Sequence, residues 1–273
     1  MTGDRRGFTM IELLVVTVLG GLVLMAALQI LVTNQRTYTA QNAVIQGQQN
    51  NRMALEVLVN ELREVSPSGG DILAMSSDSI RVRLMRKFTR VCEFDYTFPS
   101  GHPAPVVLNL QGRRFEVGDS VFVFADIDEK DDDDDVWIAA RVTAVDTTVT
   151  CPQNGERATE LTFNGQGALF TADSVGIGAP VRSYETFTFG ATAFLGDSYL
   201  GRRPGTGGMM PIVGPIRTGN GLELAYRDGY GNVTSTPADV RQIEVTVRTG
   251  SGVMNSLNEE VQDSINVLIY TRN

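Results

Sequence analysis

The fold of this chain is decided by the segment Arg5-Arg6-Gly7-Phe8-Thr9-Met10-Ile11-Glu12-Leu13-Leu14. Two arginines and a glycine lead into an apolar stretch, and between Phe8 and Val32 the only charged residue is Glu12. About 20 apolar residues in an α-helix are enough to cross the hydrocarbon core of a bilayer. The sequence therefore predicts a membrane-spanning helix directly after a basic leader.

Glu12 is the unusual residue of this stretch. A carboxylate inside a membrane span costs roughly 2.5–3.5 kcal/mol at mid-bilayer on insertion scales, so such a residue normally has a partner or a function. The span contains no basic residue that could neutralise it. We therefore expect the partner of Glu12 to lie outside this segment.

The position of Gly7 identifies the type of leader. A secretory signal peptide ends its apolar region in a small-x-small cleavage site, whereas this region continues through Gln29 and Asn34 into polar sequence. The small residue precedes the apolar region instead. This arrangement resembles the class III signal of type IV prepilins, which a membrane aspartyl peptidase cuts after the glycine.

The resemblance implies a role for three residues. Cleavage is expected between Gly7 and Phe8, with methylation of the new amino terminus at Phe8. Glu12 matches the glutamate of type IV pilins that offsets the free amino group of a neighbouring subunit. An ordinary signal-anchor helix with an acid near its interfacial end is the alternative interpretation.

The basic residues around the span predict its orientation. Arg5 and Arg6 precede it, and the next basic residue along the chain is Arg36. By the positive-inside rule, the amino terminus lies in the cytoplasm. We expect a single-pass inner-membrane protein whose remaining residues are extracytoplasmic.

The helical pattern continues beyond the span. Apolar residues recur at three- and four-residue steps from Val44 to Val65, and Pro67 provides the stop signal. A helix from Phe8 to Ser66 would be on the order of 90 Å long. The predicted division is a leader at 1–7, a transmembrane or filament-core helix at 8–32, an amphipathic helix at 33–66 and a β-rich extracytoplasmic domain at 67–273.

Period-two alternation predicts strands in the remainder of the chain. The glycine-rich stretch from Gly201 to Gly221 is interpreted as loops. The predicted fold is α+β and pilin-like, with a long helix packed on an antiparallel sheet. The predicted strands are Ser79–Leu84, Val91–Tyr96, Ser120–Phe124, Val136–Val142, Tyr184–Phe189, Leu222–Tyr226, Ile243–Arg248 and Ile265–Tyr270, with the third and fourth forming a hairpin around an acidic tip.

Further stretches extend the resemblance beyond the leader. They are Leu31–Tyr38, Gln41, Gln49–Glu56, Glu61–Arg63, Leu222–Asp228 and Val267–Asn273. Together they are similar to PilW-type minor pilins of type IV pili and, less closely, to the J-type minor pseudopilin of type II secretion. The resemblance implies a structural subunit without catalysis or cofactor. Its implied partners are prepilin peptidase, other minor and major pilins, the inner-membrane assembly platform and the membrane.

The middle of the chain leaves a different function open. Residues from about Phe98 to Gly219 carry no motif that can be assigned. A signal-anchored extracytoplasmic binding protein or adhesin is therefore an alternative to a pilus subunit.

Cys92 and Cys151 are the only cysteines in the sequence. The predicted orientation exports both to a compartment where thiols oxidise, so a disulfide is the simplest pairing. In the chain-entropy model such a bridge stabilises the fold by about 4 kcal/mol. Two buried free thiols are the alternative.

The acidic run Asp131–Asp135, preceded by Asp126, Asp128 and Glu129, raises the question of calcium binding. Calcium prefers six to eight oxygen ligands. Counted from Asp131, however, the positions that an EF-hand loop fills with glycine and glutamate are Val136 and Val142. A solvated hairpin tip without metal is the predicted state, and calcium binding is the alternative.

Composition excludes several other classes. The net charge is −9 and the pI is about 4.7, so no nucleic-acid partner is expected. His102 is the only histidine and lies in a turn sequence, which disfavours a catalytic triad. The Gly165/Gly167 and Gly176/Gly178 pairs do not open a predicted helix, so a nucleotide site is not expected.

Five basic residues lie close together between positions 81 and 90. They are interpreted as the solvated face of a strand pair: Arg81, Arg83, Arg86, Lys87 and Arg90.

Overall fold

The computed structural model describes residues 9–95, 104–109, 114–126, 135–164, 174–254 and 260–272. Gly7, Phe8, His102 and residues 127–134 of the predicted acidic tip lie outside the described residues. An α-helix, α1 (Met10–Leu62), precedes the strands, which confirms the α+β class. The strands are β1 (Ile72–Met75), β2 (Ser79–Asp95), β3 (Ala104–Leu108), β4 (Ser120–Ala125), β5 (Val136–Asp146), β6 (Ala158–Phe163), β7 (Pro180–Phe194), β8 (Asp197–Pro204), β9 (Met210–Ile216), β10 (Leu222–Arg227), β11 (Gln242–Met254) and β12 (Glu260–Tyr270).

Helix α1 is continuous over 53 residues, or about 80 Å at 1.5 Å per residue. It is exposed through Thr39, and its buried residues are Ala43, Asn51, Ala54, Leu55, Leu58 and Leu62. The helix ends four residues before the predicted Ser66. Arg63 N and Val65 N still donate to the helix carbonyls of Val59 and Leu62, whereas Val65 O accepts from Arg272 N at 3.0 Å and Ser66 N donates to Asp71 Oδ2 at 3.0 Å.

The second half of the helix organises the first of two hydrophobic cores, here called the helix core. It packs on the antiparallel sheet β10–β11–β12 and on β9. Strands β1 and β8 and parts of β2 and β7 complete this core. Its central residues include Leu58, Leu62, Ile80, Phe189, Leu200 and Ile243. This arrangement confirms the predicted antiparallel sheet packed on the helix.

The second core lies inside a closed strand ladder, here called the barrel. Within the described residues the antiparallel pairings run β2–β3–β6–β5–β4–β7 and return to β2. The barrel uses only the Met85–Asp95 end of β2 and the Pro180–Tyr184 end of β7. Each of these six described strands is therefore paired on both sides, as in a closed ladder. Its interior includes Val91, Val107, Val123, Ile138, Leu161, Phe163 and Val181.

The sequence predicted the β4–β5 hairpin, which the structure confirms with Ala125 opposite Val136. It did not predict the barrel, because β3 and β6 are short and lie among residues without a clear alternating pattern. The predicted strands at Ser79–Leu84 and Val91–Tyr96 are confirmed as β-structure through Asp95, and Tyr96 lies outside the described residues. Their separation into two strands was wrong, because they form one strand of 17 residues with an irregularity in its pairing to β7 between Met85 and Lys87.

The interpretation of Gly201 to Gly221 as loops was also wrong, because this stretch contains the end of β8 and all of β9. A Cβ on Gly201 would lie 2.6 Å from Thr192 Cγ2, so glycine here permits close packing within the sheet. Strand β9 is at the edge of its sheet. An edge strand tolerates Pro211 and Pro215, which lack an N–H to donate.

Candidate functional site

The amino-terminal half of α1 is the first candidate site, because it presents an apolar surface that none of the described residues covers. Among the described residues it is the helix long and apolar enough to cross a membrane. Its hydroxyl groups bond within the helix: Thr17 Oγ1 donates to Leu14 O and Thr33 Oγ1 donates to Gln29 O, both at 2.9 Å. These polar side chains are therefore satisfied without water.

The first turn of this helix holds Glu12 in a capping box. Thr9 N donates to Glu12 Oε2 at 2.9 Å, Thr9 Oγ1 donates to the same oxygen at 3.0 Å, and Glu12 N donates to Thr9 Oγ1 at 3.4 Å. A charge partner for Glu12 outside its segment stays a prediction, but the structure gives the carboxylate a hydrogen-bond partner within the segment, Thr9, that the sequence analysis missed. The Thr-x-x-Glu spacing is a sequence signal that could have revealed this contact.

The capping box orients the carboxylate but occupies only one of its two oxygens. Both described bonds go to Oε2, so Oε1 faces no donor within the described helix. A carboxylate held at a helix amino terminus also interacts favourably with the helix dipole. Glu12 is thereby positioned to accept a hydrogen bond from a second chain.

Comparison with known protein families adds one finding for this segment. Residues 3–28 match a family described as the prokaryotic N-terminal methylation motif. This match supports a prepilin-type chain. It favours a pilin or pseudopilin that is processed by prepilin peptidase and anchored in a membrane by its apolar helix. Comparison with curated proteins and with solved structures gave no match.

The matched range includes Gly7, Phe8 and Glu12 but ends within the predicted span. Gly7 and Phe8 lie outside the described residues, so cleavage and methylation there stay predictions. The motif does not distinguish a type IV pilus from a type II secretion system.

The second candidate region is the junction between the helix core and the barrel. Arg182 Nη1 donates to Asp71 Oδ2 at 2.9 Å and Arg182 Nη2 donates to Asp71 Oδ1 at 3.2 Å. Burial raises the pKa of Asp71 despite the adjacent guanidinium. A buried ion pair of this kind fixes geometry more reliably than it stabilises a fold. It ties the loop after α1 to the first strand residues of β7.

The basic residues of β2 do not form the solvated face that the sequence predicted. Arg83 lies 5.3 Å from the ring centroids of both Phe122 and Tyr184. Arg86 pairs with Glu61 at 3.1 Å. Lys87 Nζ bonds Asp119 Oδ2 at 2.6 Å. Four of the five residues, Arg81 included, are therefore partly buried, and Arg90 is the exposed exception.

The structure contains the predicted disulfide between Cys92 and Cys151. It joins β2 to the segment between β5 and β6, and it packs with Val106 and Ala158 in a small buried cluster. The bridge therefore belongs to the barrel and not to the helix core.

The acidic tip and the glycine pairs, for which the sequence predicts no metal or nucleotide binding, are only partly within the described residues. Asp126 and Asp135 flank the acidic tip, while Asp128, Glu129 and Asp131 lie outside the described residues. Among the residues that the structure describes, no group of three His, Cys, Asp or Glu side chains is arranged to hold a metal. Gly176 and Gly178 lie in a turn that enters strand β7, which does not provide the helix amino terminus of a phosphate loop.

Proposed function

We propose that this chain is a minor pilin of a type IV pilus that acts in pilus assembly or initiation at the filament tip. The observation that carries this proposal is the uncovered apolar helix with a capped Glu12 in its first turn. The match to the prepilin methylation motif over residues 3–28 supports it. The chain would act by packing and not by catalysis.

In the proposed pathway, prepilin peptidase cuts between Gly7 and Phe8, and Phe8 becomes the methylated amino terminus. The helix 8–32 stays in the inner membrane until the assembly platform transfers it to the filament. The amphipathic segment 33–66 and the domain 67–273 lie outside the cytoplasm. This topology follows from the arginines of the leader and the exposed apolar span.

Glu12 has a specific part in the proposed assembly step. Its carboxylate is costly in hydrocarbon until it meets the ammonium of a neighbouring amino terminus. The attraction between the two charges grows as the local dielectric falls. Because the capping box already orients the carboxylate, docking favours one axial register between subunits.

The barrel supports a minor rather than a repeating role. It enlarges the extracytoplasmic domain with a second core whose described residues include none from the helix. A subunit repeated along a filament would have to accommodate this addition at each step, whereas a tip subunit would not.

The J-type minor pseudopilin of type II secretion is the second candidate, because it would use the same helix and leader. Two measurements separate the candidates: recovery of this chain in surface-sheared pili, and the loss of pili or of secretion when its gene is deleted. A minor pilin is expected in the sheared fraction, and its deletion should reduce piliation while secretion continues. Loss of secretion with normal piliation would contradict the proposal.

A further inference from the structure

A groove lies where the barrel meets the loop that follows α1. Its volume is about 570 Å³, within the roughly 300–1,000 Å³ typical of small-molecule sites. Aromatic side chains form much of its wall: Phe88, Phe124 and Trp137. Phe88 is 43% exposed, so an apolar ring is available to a ligand without rearrangement.

The groove is at the end of the molecule remote from the membrane span. Its other wall is the loop that contains Ser66, Ser68 and Gly69, immediately after the helix of about 80 Å. A Cβ on Gly69 would lie 3.2 Å from Arg182 Nη2, so this glycine lets the loop approach the barrel closely. The wall is therefore fixed by the same junction that holds Arg182 against Asp71.

Two exposed arginines give the groove its charge preference. Arg90 and Arg272 both line it. In the described part of the chain neither guanidinium forms an ion pair with a carboxylate. Arg182 also lines the groove, but its two terminal nitrogens are bound to Asp71. Asp135 lines the groove as well, so the rim offers an anionic ligand two guanidinium groups beside one carboxylate.

We propose that this groove binds a short carboxylated sugar chain. A sugar ring presents an apolar face of C–H groups that can stack on the exposed ring of Phe88, and its carboxylate matches the planar fork of an arginine. Trp137 borders the same site, with the Arg182 guanidinium 4.5 Å from its ring centroid. Asp135 lines the same groove and the chain has a net charge of −9, so a long polyanion such as a nucleic acid fits less well than a short chain that engages two arginines. This ligand goes beyond the proposed assembly role and does not depend on it.

Trp137 makes the proposal directly testable, because it is the only tryptophan in the sequence. The full chain in detergent is titrated with oligogalacturonate while tryptophan fluorescence is followed. The same oligosaccharide with methyl-esterified carboxylates keeps the rings and removes the charge. We expect a saturable fluorescence change with the acid form and at least tenfold weaker binding of the ester.

Variants identify the charged contacts. Arg90→Ala and Arg272→Ala should each weaken binding of the acid form about tenfold, whereas Arg157→Ala is a matched control on an exposed barrel arginine outside the groove. The Arg272→Ala chain keeps the backbone bond from residue 272 to Val65 O. Incorporation into filaments is measured on the same variants and should equal that of wild type, which separates this site from assembly.

Four results would overturn the proposal. They are no response to oligogalacturonate at millimolar concentration, equal binding of the ester, unchanged binding by both arginine variants, and tighter binding of a single-stranded oligodeoxynucleotide than of the acid oligosaccharide. Retention of the Cys92–Cys151 disulfide and of the circular dichroism spectrum verifies that each variant is folded.

Discussion

The helix core and the barrel are completed by different elements. The helix core depends on α1, since Leu58 and Leu62 of the helix are packed among residues of the two sheets. The barrel closes its own ladder and contains the Cys92–Cys151 bridge. Helix α1 therefore provides both the membrane span and part of the helix core. The core of the barrel includes no described residue of this helix.

The two cores share strands β2 and β7. Their pairing runs without a break in the ladder from Ser79 opposite Gly190 to Arg90 opposite Pro180, apart from the irregularity after Met85. The barrel strands β3 to β6 all lie between β2 and β7 in the sequence. An insertion between paired strands leaves their pairing intact, which explains how the helix core tolerates so large an addition.

The largest expected effect is on filament assembly and involves a residue that belongs to neither core. Glu12→Ala should be cleaved like wild type but should be absent from sheared pili, because the carboxylate is needed only between subunits. A bulky residue at Gly7, as in Gly7→Leu, should block cleavage, whereas Gly7→Ala should be tolerated or slow it. Immunoblots for the shortened chain, run beside sheared pili, measure both steps.

Glu12→Gln is the matched control for this prediction. Glutamine at this position preserves a capping box with Thr9 but carries no charge. If the charge of Glu12 is required for assembly, the Glu12→Gln chain should be absent from pili, like the Glu12→Ala chain. Incorporation of both variants at the wild-type level would show that Glu12 has no role in assembly.

The next largest effect concerns the disulfide of the barrel. It closes a separation of 59 residues, for which the chain-entropy model gives about 4 kcal/mol. The Cys92→Ser/Cys151→Ser variant should lower the urea midpoint of the barrel, reported by Trp137 fluorescence, and should leave amide exchange around Leu58 unchanged. Alkylation of both cysteines in the folded wild-type chain without reductant would contradict the prediction.

A pair of matched leucines tests whether the cores unfold separately. Leu58 in the helix core and Leu161 in the barrel are both 0% exposed. Replacing either with alanine should destabilise its own core by about 3 kcal/mol. Hydrogen exchange should increase mainly in the core that carries the substitution. Equal increases in both cores for both variants would show one cooperative unit instead.

The sequence predicts the helix core better than the barrel for a physical reason. The second half of α1, from Val44 to Leu62, and the alternating strand at Ile243 both have a regular period, which reflects packing on one face. The barrel depends on pairings between distant residues, such as Val107 opposite Thr159. No local pattern encodes such a partner, and a glycine such as Gly201 indicates a loop even where it permits close packing in a strand.

The two candidate sites also differ in how far the sequence predicts them. Glu12 stands out because one charge in an apolar stretch is visible without a structure, although its contact with Thr9 was missed. The groove at the junction could not be predicted, since Phe88, Trp137 and Arg272 are far apart in the sequence and meet only in the folded chain.

The smallest expected effect is a pH dependence confined to the helix core. Glu244 lies on the middle strand of the sheet β10–β11–β12 and accepts hydrogen bonds from Arg227 Nη2 at 2.8 Å and from Asn266 Nδ2 at 3.0 Å. These side-chain bonds from Arg227 and Asn266 lower the pKa of Glu244 below its ordinary value of 4.5.

Because the folded-state pKa of Glu244 is lowered, its stabilising contribution is fully present above about pH 4.5 and is lost as the pH falls through the folded-state pKa. The ion pair is partly exposed, so its contribution is about 0.5–1 kcal/mol. In Glu244→Gln this part of the acid-dependent loss should vanish from the exchange rates of β10–β12 amides. Trp137 fluorescence should report the same barrel stability as wild type from pH 7 to 4, because the described hydrogen bonds of Glu244 are to Arg227 of β10 and Asn266 of β12. An acid dependence of the β10–β12 exchange rates that Glu244→Gln leaves unchanged would show that this carboxylate does not couple the sheet to pH.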